Sequence, residues 1–192
     1  MKKIGASKNP LLHAILRHKP YVFETTWGLF SPKEIDPGSK LLVDEIEVAE
    51  DSSILDFGCG YGPIGIPLAA SCPKGIVHMV DKDFIAIEYA QKNMVRNSIK
   101  NAEIYLSNGL SHVPKEMQFS MVVSNIPAKI GNELLRIIFA DIYKKILPGG
   151  MVYVVTISGL RSFIKREFEH VFGNYTKVRQ SGTYTISSAQ KQ

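Results

Sequence analysis

Cysteine is nearly absent: the 192 residues hold only Cys59 and Cys72, and the two form no CxxC pair. Neither stands beside a His or acidic cluster that would complete a metal-ligand set. A zinc ribbon and a disulfide-stapled scaffold are therefore excluded, and both residues read as free thiols. The histidines His13, His18, His78, His112 and His170 are scattered, with no HExxH and no Ser/His/Asp constellation. Zinc-protease and serine-hydrolase chemistry drop out, and no metal is expected. His78 falls in a predicted buried strand and reads as structural. No apolar run approaches the roughly 20 residues of a membrane span. The stretch Met1–Pro10 has Lys2 and Lys3 but no long apolar core behind them, unlike a signal peptide. The expectation is a cytoplasmic protein with no membrane partner. The sequence also lacks internal repeats and low-complexity tracts, and it is silent on oligomeric state.

Acidic residues are outnumbered, 18 against 23 Lys and Arg, for a net charge of +5. Lys2, Lys3, Lys8, Arg17 and Lys19 all precede the first acid, Glu24, and Arg161, Lys165, Arg166, Lys177 and Arg179 lie near the other end. Basic ends of this kind hold phosphates by counterion release, or form an ordinary solvated surface. A hydrophobic share of 45% with 21% charged residues fits one globular domain.

What is present is alternation. Short apolar runs, mostly rich in β-branched residues, occur at Ser53–Phe57, Ile76–Val80, Ala102–Tyr105, Met121–Ser124 and Met151–Val155. These read as buried parallel strands. Between them, Asp83 caps a predicted helix to about Asn97, with Phe84, Ile87, Tyr89, Ala90 and Met94 near one side. A second helix spans Glu133–Ile146, with Leu134, Ile137, Ile138, Ile142 and Ile146 at helical spacing, stopped by Pro148-Gly149-Gly150. This order predicts an α/β sheet with helices on both faces. The tail reads as a helix over Phe163–Val171, then strands Tyr175–Gln180 and Thr183–Ser187 joined by Ser181-Gly182 as a hairpin. Residues 1–40 read as an irregular extension packed on a main domain of residues 41–192. The extension carries the aromatics Tyr21, Phe23, Trp27 and Phe30.

The most informative segment is Asp56-Phe57-Gly58-Cys59-Gly60-Tyr61-Gly62, directly after the first predicted strand, with a helix expected to open at Pro63. A dinucleotide fingerprint needs GxGxxG to cradle a pyrophosphate. Counted from Gly58, its third glycine falls on Pro63. The pattern is instead an acid, one residue, then GxGxG. An acid beside the loop disfavours a pyrophosphate and suits a ligand bearing positive charge; S-adenosylmethionine carries an ammonium and a sulfonium. Asp81 ends the second strand, where a carboxylate accepts both hydroxyls of a ribose. Asn108, in Ser107-Asn108-Gly109, offers an amide to an adenine edge or forms a plain Asn-Gly turn. The expected cofactor-binding set is Asp56, Gly58, Cys59, Gly60, Gly62, Asp81, Lys82, Asn108 and Gly109.

In this order, Asp56 to Gly62, Asp81, Asn108 and Asn125-Ile126-Pro127-Ala128 resemble the class I methyltransferase motifs. The chain is most similar to the methyltransferase small domain group, which includes RsmC-like 16S ribosomal RNA guanine-N2 methyltransferases and small single-domain archaeal relatives. Gly28-Leu29-Phe30-Ser31 and Ile35-Asp36-Pro37-Gly38-Ser39-Lys40-Leu41-Leu42 look like that group's segment before the glycine loop. The resemblance runs from about Phe23 to the C-terminus. It implies a Rossmann-like sheet of seven strands with the last one antiparallel. It also implies S-adenosyl-L-methionine as cofactor, with S-adenosyl-L-homocysteine as product.

Members that methylate an exocyclic amine carry Asn/Asp-Pro-Pro and an aromatic after the fourth strand. An aniline-like nitrogen has its lone pair delocalised into the ring. Two acceptors, the Asn oxygen and the next carbonyl, bind its hydrogens and favour a pyramidal nitrogen aimed at the methyl group. Transfer is then an in-line displacement accelerated by positioning. Here Asn125, Ile126 and Pro127 are the expected catalytic segment. Ile126 replaces the first proline but keeps its carbonyl, and Pro127 biases it toward extended backbone. Ala128 cannot stack on a flipped base, so Tyr21, Phe23, Trp27 and Phe30 are candidates for holding the target, with core packing as their other role. Lys129 is placed to meet a phosphate. The favoured reading is an N-methyltransferase acting on RNA, with guanine N2 of ribosomal RNA as target. The alternatives are a protein or small-molecule substrate, or a non-catalytic cofactor- or RNA-binding module.

Overall fold

A computed structural model describes residues 10–127 and 130–192. Lys2, Lys3, Lys8, Ala128 and Lys129 lie outside the described residues. The predicted strands are present as β3 (Ser53–Phe57), β4 (Ile76–Asp81), β5 (Ala102–Leu106), β6 (Phe119–Asn125) and β7 (Ile146–Ile157). The tail supplies β8 (Thr176–Gln180) and β9 (Tyr184–Gln190). They form one seven-stranded sheet in the order β5-β4-β3-β6-β7-β9-β8. The β3, β4, β5, β6 and β7 pairings are parallel, whereas β9 runs antiparallel to both β7 and β8. This is the expected α/β sheet with its last strand reversed.

Neighbouring strand residues feed two separate cores. Ile54, Val123 and Val155 pack into one cluster, whereas Leu55, Val122 and Val154 pack into the other. Successive side chains on a strand point to opposite faces. A sheet covered on both sides therefore reads as continuous apolar runs. One face is covered by α1 (Pro37–Glu45), α2 (Gly65–Ala69) and α3 (Phe84–Arg96), and the other by α4 (Asn132–Lys145) and α5 (Arg161–Phe172). Among the described residues, no helix is long and apolar enough to cross a membrane.

The structure corrects several local expectations. The stretch read as irregular contains an antiparallel hairpin, β1 (Leu11–Leu16) and β2 (Lys19–Glu24). Its two-residue turn puts Arg17 and His18 at φ 48 and 62. Such turns usually signal themselves with Asn-Gly, and here nothing does. Arg17 offsets the strain: its backbone N–H donates to Asp44 Oδ1 at 2.7 Å, and its Nη1 donates to the Val43 and Ile46 carbonyls at 2.7 Å. The guanidinium thereby serves orphan carbonyls at the end of α1. Pro63 does not open a helix but lies in a turn, and α2 begins at Gly65. In α4 the buried residues are Leu135, Ile138, Phe139 and Ile142, while Leu134 and Ile137 face outward. Likewise Phe84 is exposed at the start of α3. Pro148-Gly149-Gly150 belongs to the first part of β7, and α4 ends earlier, at Lys145.

The hairpin is tied to the sheet through α3. Buried Asn93 accepts from the Glu24 N–H (2.6 Å) and donates to the Glu24 carbonyl (3.0 Å) and the Tyr61 carbonyl (2.9 Å). One side chain thus joins the hairpin to the glycine loop. Asn93→Ala removes all three bonds, one of them buried and two part-buried, and is expected to cost about 2–4 kcal/mol, read as a lower urea midpoint with an unchanged slope.

Candidate functional site

Strand order reverses between β3 and β6, whose connections leave in opposite directions. The crevice outside the carboxyl ends of strands at such a point is where open α/β sheets bind ligands. Asp56 is at the end of β3, Asp81 at the end of β4 and Asn125 at the end of β6, with Asn108 two residues beyond β5. The structure therefore brings the acidic loop, Asp81, the Asn108-Gly109 turn and Asn125 to one edge. The Ser107 N–H donates to the Asp81 carbonyl at 2.8 Å, and Ser124 Oγ donates to the Phe57 carbonyl at 2.7 Å. These bonds set the β5 and β6 exits beside their neighbours.

The glycine loop is held from inside. The Gly58 and Cys59 N–H groups both donate to the Val80 carbonyl (2.9 and 3.0 Å), and the Gly62 N–H donates to the Cys59 carbonyl (3.0 Å). The Gly60 N–H donates to Asp81 Oδ2 at 2.9 Å. These four donors are committed within the protein, so the loop is not an anion nest of the kind that cradles phosphates. Gly58 and Gly60 sit at φ 73 and 55, and a Cβ at either would meet nothing within 4 Å. The space above them is open to a ligand pressed against bare backbone.

Asp56 is fully buried, and its Oδ2 accepts from the Gly65 N–H at 2.8 Å. Its Oδ1 has no hydrogen-bond partner among the described residues. Burial pushes its carboxyl up to about 7, opposed by the Gly65 bond and reinforced by the charge of Asp81. A buried acceptor without a donor calls for a cationic group or a proton. Asp81 is half-buried; besides Gly60 it accepts from the Asp83 N–H at 3.0 Å through Oδ1. Each oxygen keeps a lone pair for a ribose hydroxyl. A buried carboxylate with one oxygen unpartnered, a second carboxylate one strand away and open glycine backbone match a nucleoside that carries an ammonium and a sulfonium. The donor set fits S-adenosylmethionine.

The remaining expected cofactor residues differ in placement. Lys82 and Asn108 are exposed, and Gly109 takes φ 59 in its turn. The Cys59 side chain faces the core, only 3% exposed, and burial followed by the charges of Asp56 and Asp81 pushes its thiol well up. It is an inert packing group, and only its backbone lines the loop.

At the end of β6, Asn125 Nδ2 donates to Asp36 Oδ2 at 2.7 Å and to Ser39 Oγ at 2.9 Å. Ile126 is buried, with its N–H on the Val155 carbonyl at 3.0 Å, whereas Pro127 is exposed. Tyr21 and Phe23 are core residues, at 5% and 0% exposure, and cannot reach a substrate; Trp27 and Phe30 stand out at 72% and 63%. Lys33 Nζ lies 5.4 Å from the Trp27 ring. Their loop is fastened over the glycine loop, since Tyr61 Oη donates to the Ser31 carbonyl at 3.2 Å. Of the C-terminal basic residues, Lys165, Arg166 and Arg179 are paired with Glu169, Glu167 and Glu45. The residues that sequence reasoning missed are Asp36, Ser39 and Tyr184, whose hydroxyl donates to Asp36 Oδ1 at 3.0 Å.

Against this geometry, the sequence model of the methyltransferase small domain family matches residues 20–188. The uncharacterised protein YbxB of Bacillus subtilis is 35% identical over 179 residues, covering 92% of this chain and 89% of its own length. Ribosomal RNA large subunit methyltransferase G of Shewanella baltica is 26% identical, covering 91% of this chain; the chain spans only 50% of that relative. In structure, the 16S ribosomal RNA guanine-N2 methyltransferase RsmC of Thermus thermophilus, solved with AdoMet and guanosine, superposes with a TM-score of 0.87 at 24% identity. That match covers 97% of this chain and 52% of RsmC. A methyltransferase of Pyrococcus furiosus superposes at 0.68 with 20% identity, over 86% of this chain and 90% of that one.

Proposed function

The chain belongs to the methyltransferase small domain family, and on that premise we propose that its S-adenosylmethionine-dependent methyl transfer is directed at the exocyclic N2 of a guanine in ribosomal RNA. The observation that carries this reading is the state of Asn125. Both hydrogens of its amide nitrogen are committed to Asp36 and Ser39, so the side chain offers only an oxygen to a substrate. An acceptor-only group at this edge suits a substrate that brings N–H donors, as an exocyclic amine does.

The roles divide as follows. Asp56 binds the ammonium and Asp81 the ribose, the bare backbone at Gly58 and Gly60 admits the chain between them, and the Asn108-Gly109 turn borders the base. When bound, the cofactor supplies a methyl group on a positively charged sulfur. Asn125 Oδ1 and the Ile126 carbonyl accept from the two amine hydrogens and hold the nitrogen lone pair toward that methyl, which is catalysis by orientation. Pro127 keeps Ile126 extended. The likeness to RsmC and to methyltransferase G supports RNA as the substrate class. The proposal places the enzyme in the cytoplasm with that substrate. It also keeps residues 1–40 as an extension serving a domain of residues 41–192.

Trp27 takes the stacking role that Ala128 cannot perform. Base–aromatic stacking contributes about 1–3 kcal/mol per base. Trp27→Ala is accordingly expected to raise KM for RNA at least about fivefold, with kcat and cofactor affinity little changed; equal KM values would assign base holding elsewhere. The reading as a whole is tested by supplying methyl-labelled cofactor with total RNA and with total protein, followed by nucleoside mass spectrometry. Label in N2-methylguanosine is the expected result. Label in protein alone excludes the RNA reading, and no turnover by the purified chain favours a non-catalytic module.

A further inference from the structure

In the segment Asp36-Pro37-Gly38-Ser39, three of the four residues meet parts of the chain far away in sequence. Asp36 is 6% exposed. Its Oδ2 accepts from the Ser39 N–H at 2.9 Å, as the N-cap of α1, and also from Asn125 Nδ2 at 2.7 Å. Its Oδ1 accepts from Tyr184 Oη at 3.0 Å. Ser39 Oγ takes the second hydrogen of Asn125 Nδ2 at 2.9 Å. Pro37 occupies a first-turn position where no N–H is needed. Gly38 leaves room for the Tyr184 ring: a Cβ there would lie 2.7 Å from Tyr184 Cδ1. The cap of a helix, a strand from the far end of the chain and the acceptor asparagine therefore meet at one buried carboxylate.

A carboxylate only accepts, so the nitrogen of Asn125 must face it. With both amide hydrogens held, the orientation of the side chain is fixed and its carbonyl oxygen is the one polar atom left to meet a substrate. We infer that Asp36, Ser39 and Tyr184 are positioning residues for methyl transfer: they lock the Asn125 amide, and the Asp36 charge polarises it toward its oxygen. This rests on the role proposed above for Asn125. As the amine lone pair forms the new N–C bond, the C–S bond breaks with its electron pair going to sulfur. The nitrogen becomes positive and then releases one hydrogen as a proton to solvent. Positive charge thus grows on the N–H group facing Asn125 Oδ1. An anion held by the nitrogen of the same amide, already oriented, stabilises the charge through that amide without rearrangement.

Two conservative variants test this. Asp36→Asn keeps a good N-cap and keeps an oxygen for Ser39 and Asn125, removing mainly the charge. Tyr184→Phe removes one hydroxyl and leaves the ring over Gly38. In Asp36→Asn, kcat is expected to fall about tenfold by loss of charge stabilisation, while KM for RNA and the cofactor Kd stay within about twofold. Tyr184→Phe is expected to show a smaller fall of the same kind. The second readout needs no turnover: in an amide-proton NMR spectrum, the Asn125 side-chain pair, assigned by its loss in Asn125→Ala, should exchange slowly with water in the wild type. It should shift and exchange faster in both variants. An unaltered Asn125 pair in both variants, or unchanged kcat in both alongside an active wild type, overturns the inference. If the pair responds as stated but the wild type methylates no RNA, the lock stands and the RNA reading falls.

Discussion

Asn125→Ala is expected to lower kcat for methyl transfer by about 10²–10³-fold, the range seen when one oriented group facing developing charge is removed. The cofactor Kd should stay within about twofold, because the residues proposed above for the cofactor are on β3, the glycine loop after it, β4 and the loop after β5, whereas Asn125 ends β6. The change also takes a donor from buried Asp36 and from Ser39, so a stability loss of about 1–3 kcal/mol accompanies it. Single-turnover rates with the variant saturated in cofactor separate the two effects. Full activity in the folded variant would remove Asn125 from the mechanism.

Cofactor affinity is expected to rise about tenfold between pH 6 and pH 8 and then level off. The Asp56 carboxyl is pushed up to about 7, chiefly by burial, so the ligand-free protein carries a proton there at pH 6. A bound ammonium requires the anion, and binding below pH 7 must expel that proton. Titration calorimetry in buffers of different ionisation heat should register close to one proton released at pH 6 and almost none at pH 8. Stability follows the same linkage. The folded pKa lies above the unfolded value of 3.8. Between those values the folded state holds a proton that the unfolded state has lost. Stability of the free protein therefore falls as pH rises through this window and is flat above pH 7. Asp56→Asn removes this dependence and is expected to be more stable than wild type at pH 8, on the order of 2–4 kcal/mol, while binding cofactor at least about 100-fold more weakly. A pH-independent Kd in the wild type would contradict the assignment of Asp56.

The strand ends that carry Asp56 and Asp81 were legible because doubly covered parallel strands betray themselves as apolar runs, and an acid at such an end stands out. Their neighbours across the sheet followed from chain order alone. The hairpin before residue 25 was hidden because Arg17-His18 gives no turn signal and its strain is offset by contacts to α1, far along the chain. In α4 the apolar stripe is wider than the buried one: Leu134 and Ile137 fit the period yet face outward. Periodicity alone could not say which side meets the sheet. The positioning network was beyond sequence reading for a different reason. Asp36 meets Asn125 and Tyr184 across separations of 89 and 148 residues, and no local pattern encodes such a meeting. Even the aromatics divided on tertiary grounds, with Tyr21 and Phe23 taken by the core and Trp27 left outside.

The central claim is that the bend between β3 and α2, with Asp56 beneath it and Asp81 beside it, holds a sulfonium nucleoside. Calorimetric titration of the purified chain with S-adenosylmethionine and, separately, with a nicotinamide dinucleotide tests it most directly. The expected result is one-to-one uptake of the former, lost in Asp56→Asn, and no heat from the latter. Tight dinucleotide binding with no response to S-adenosylmethionine would contradict it.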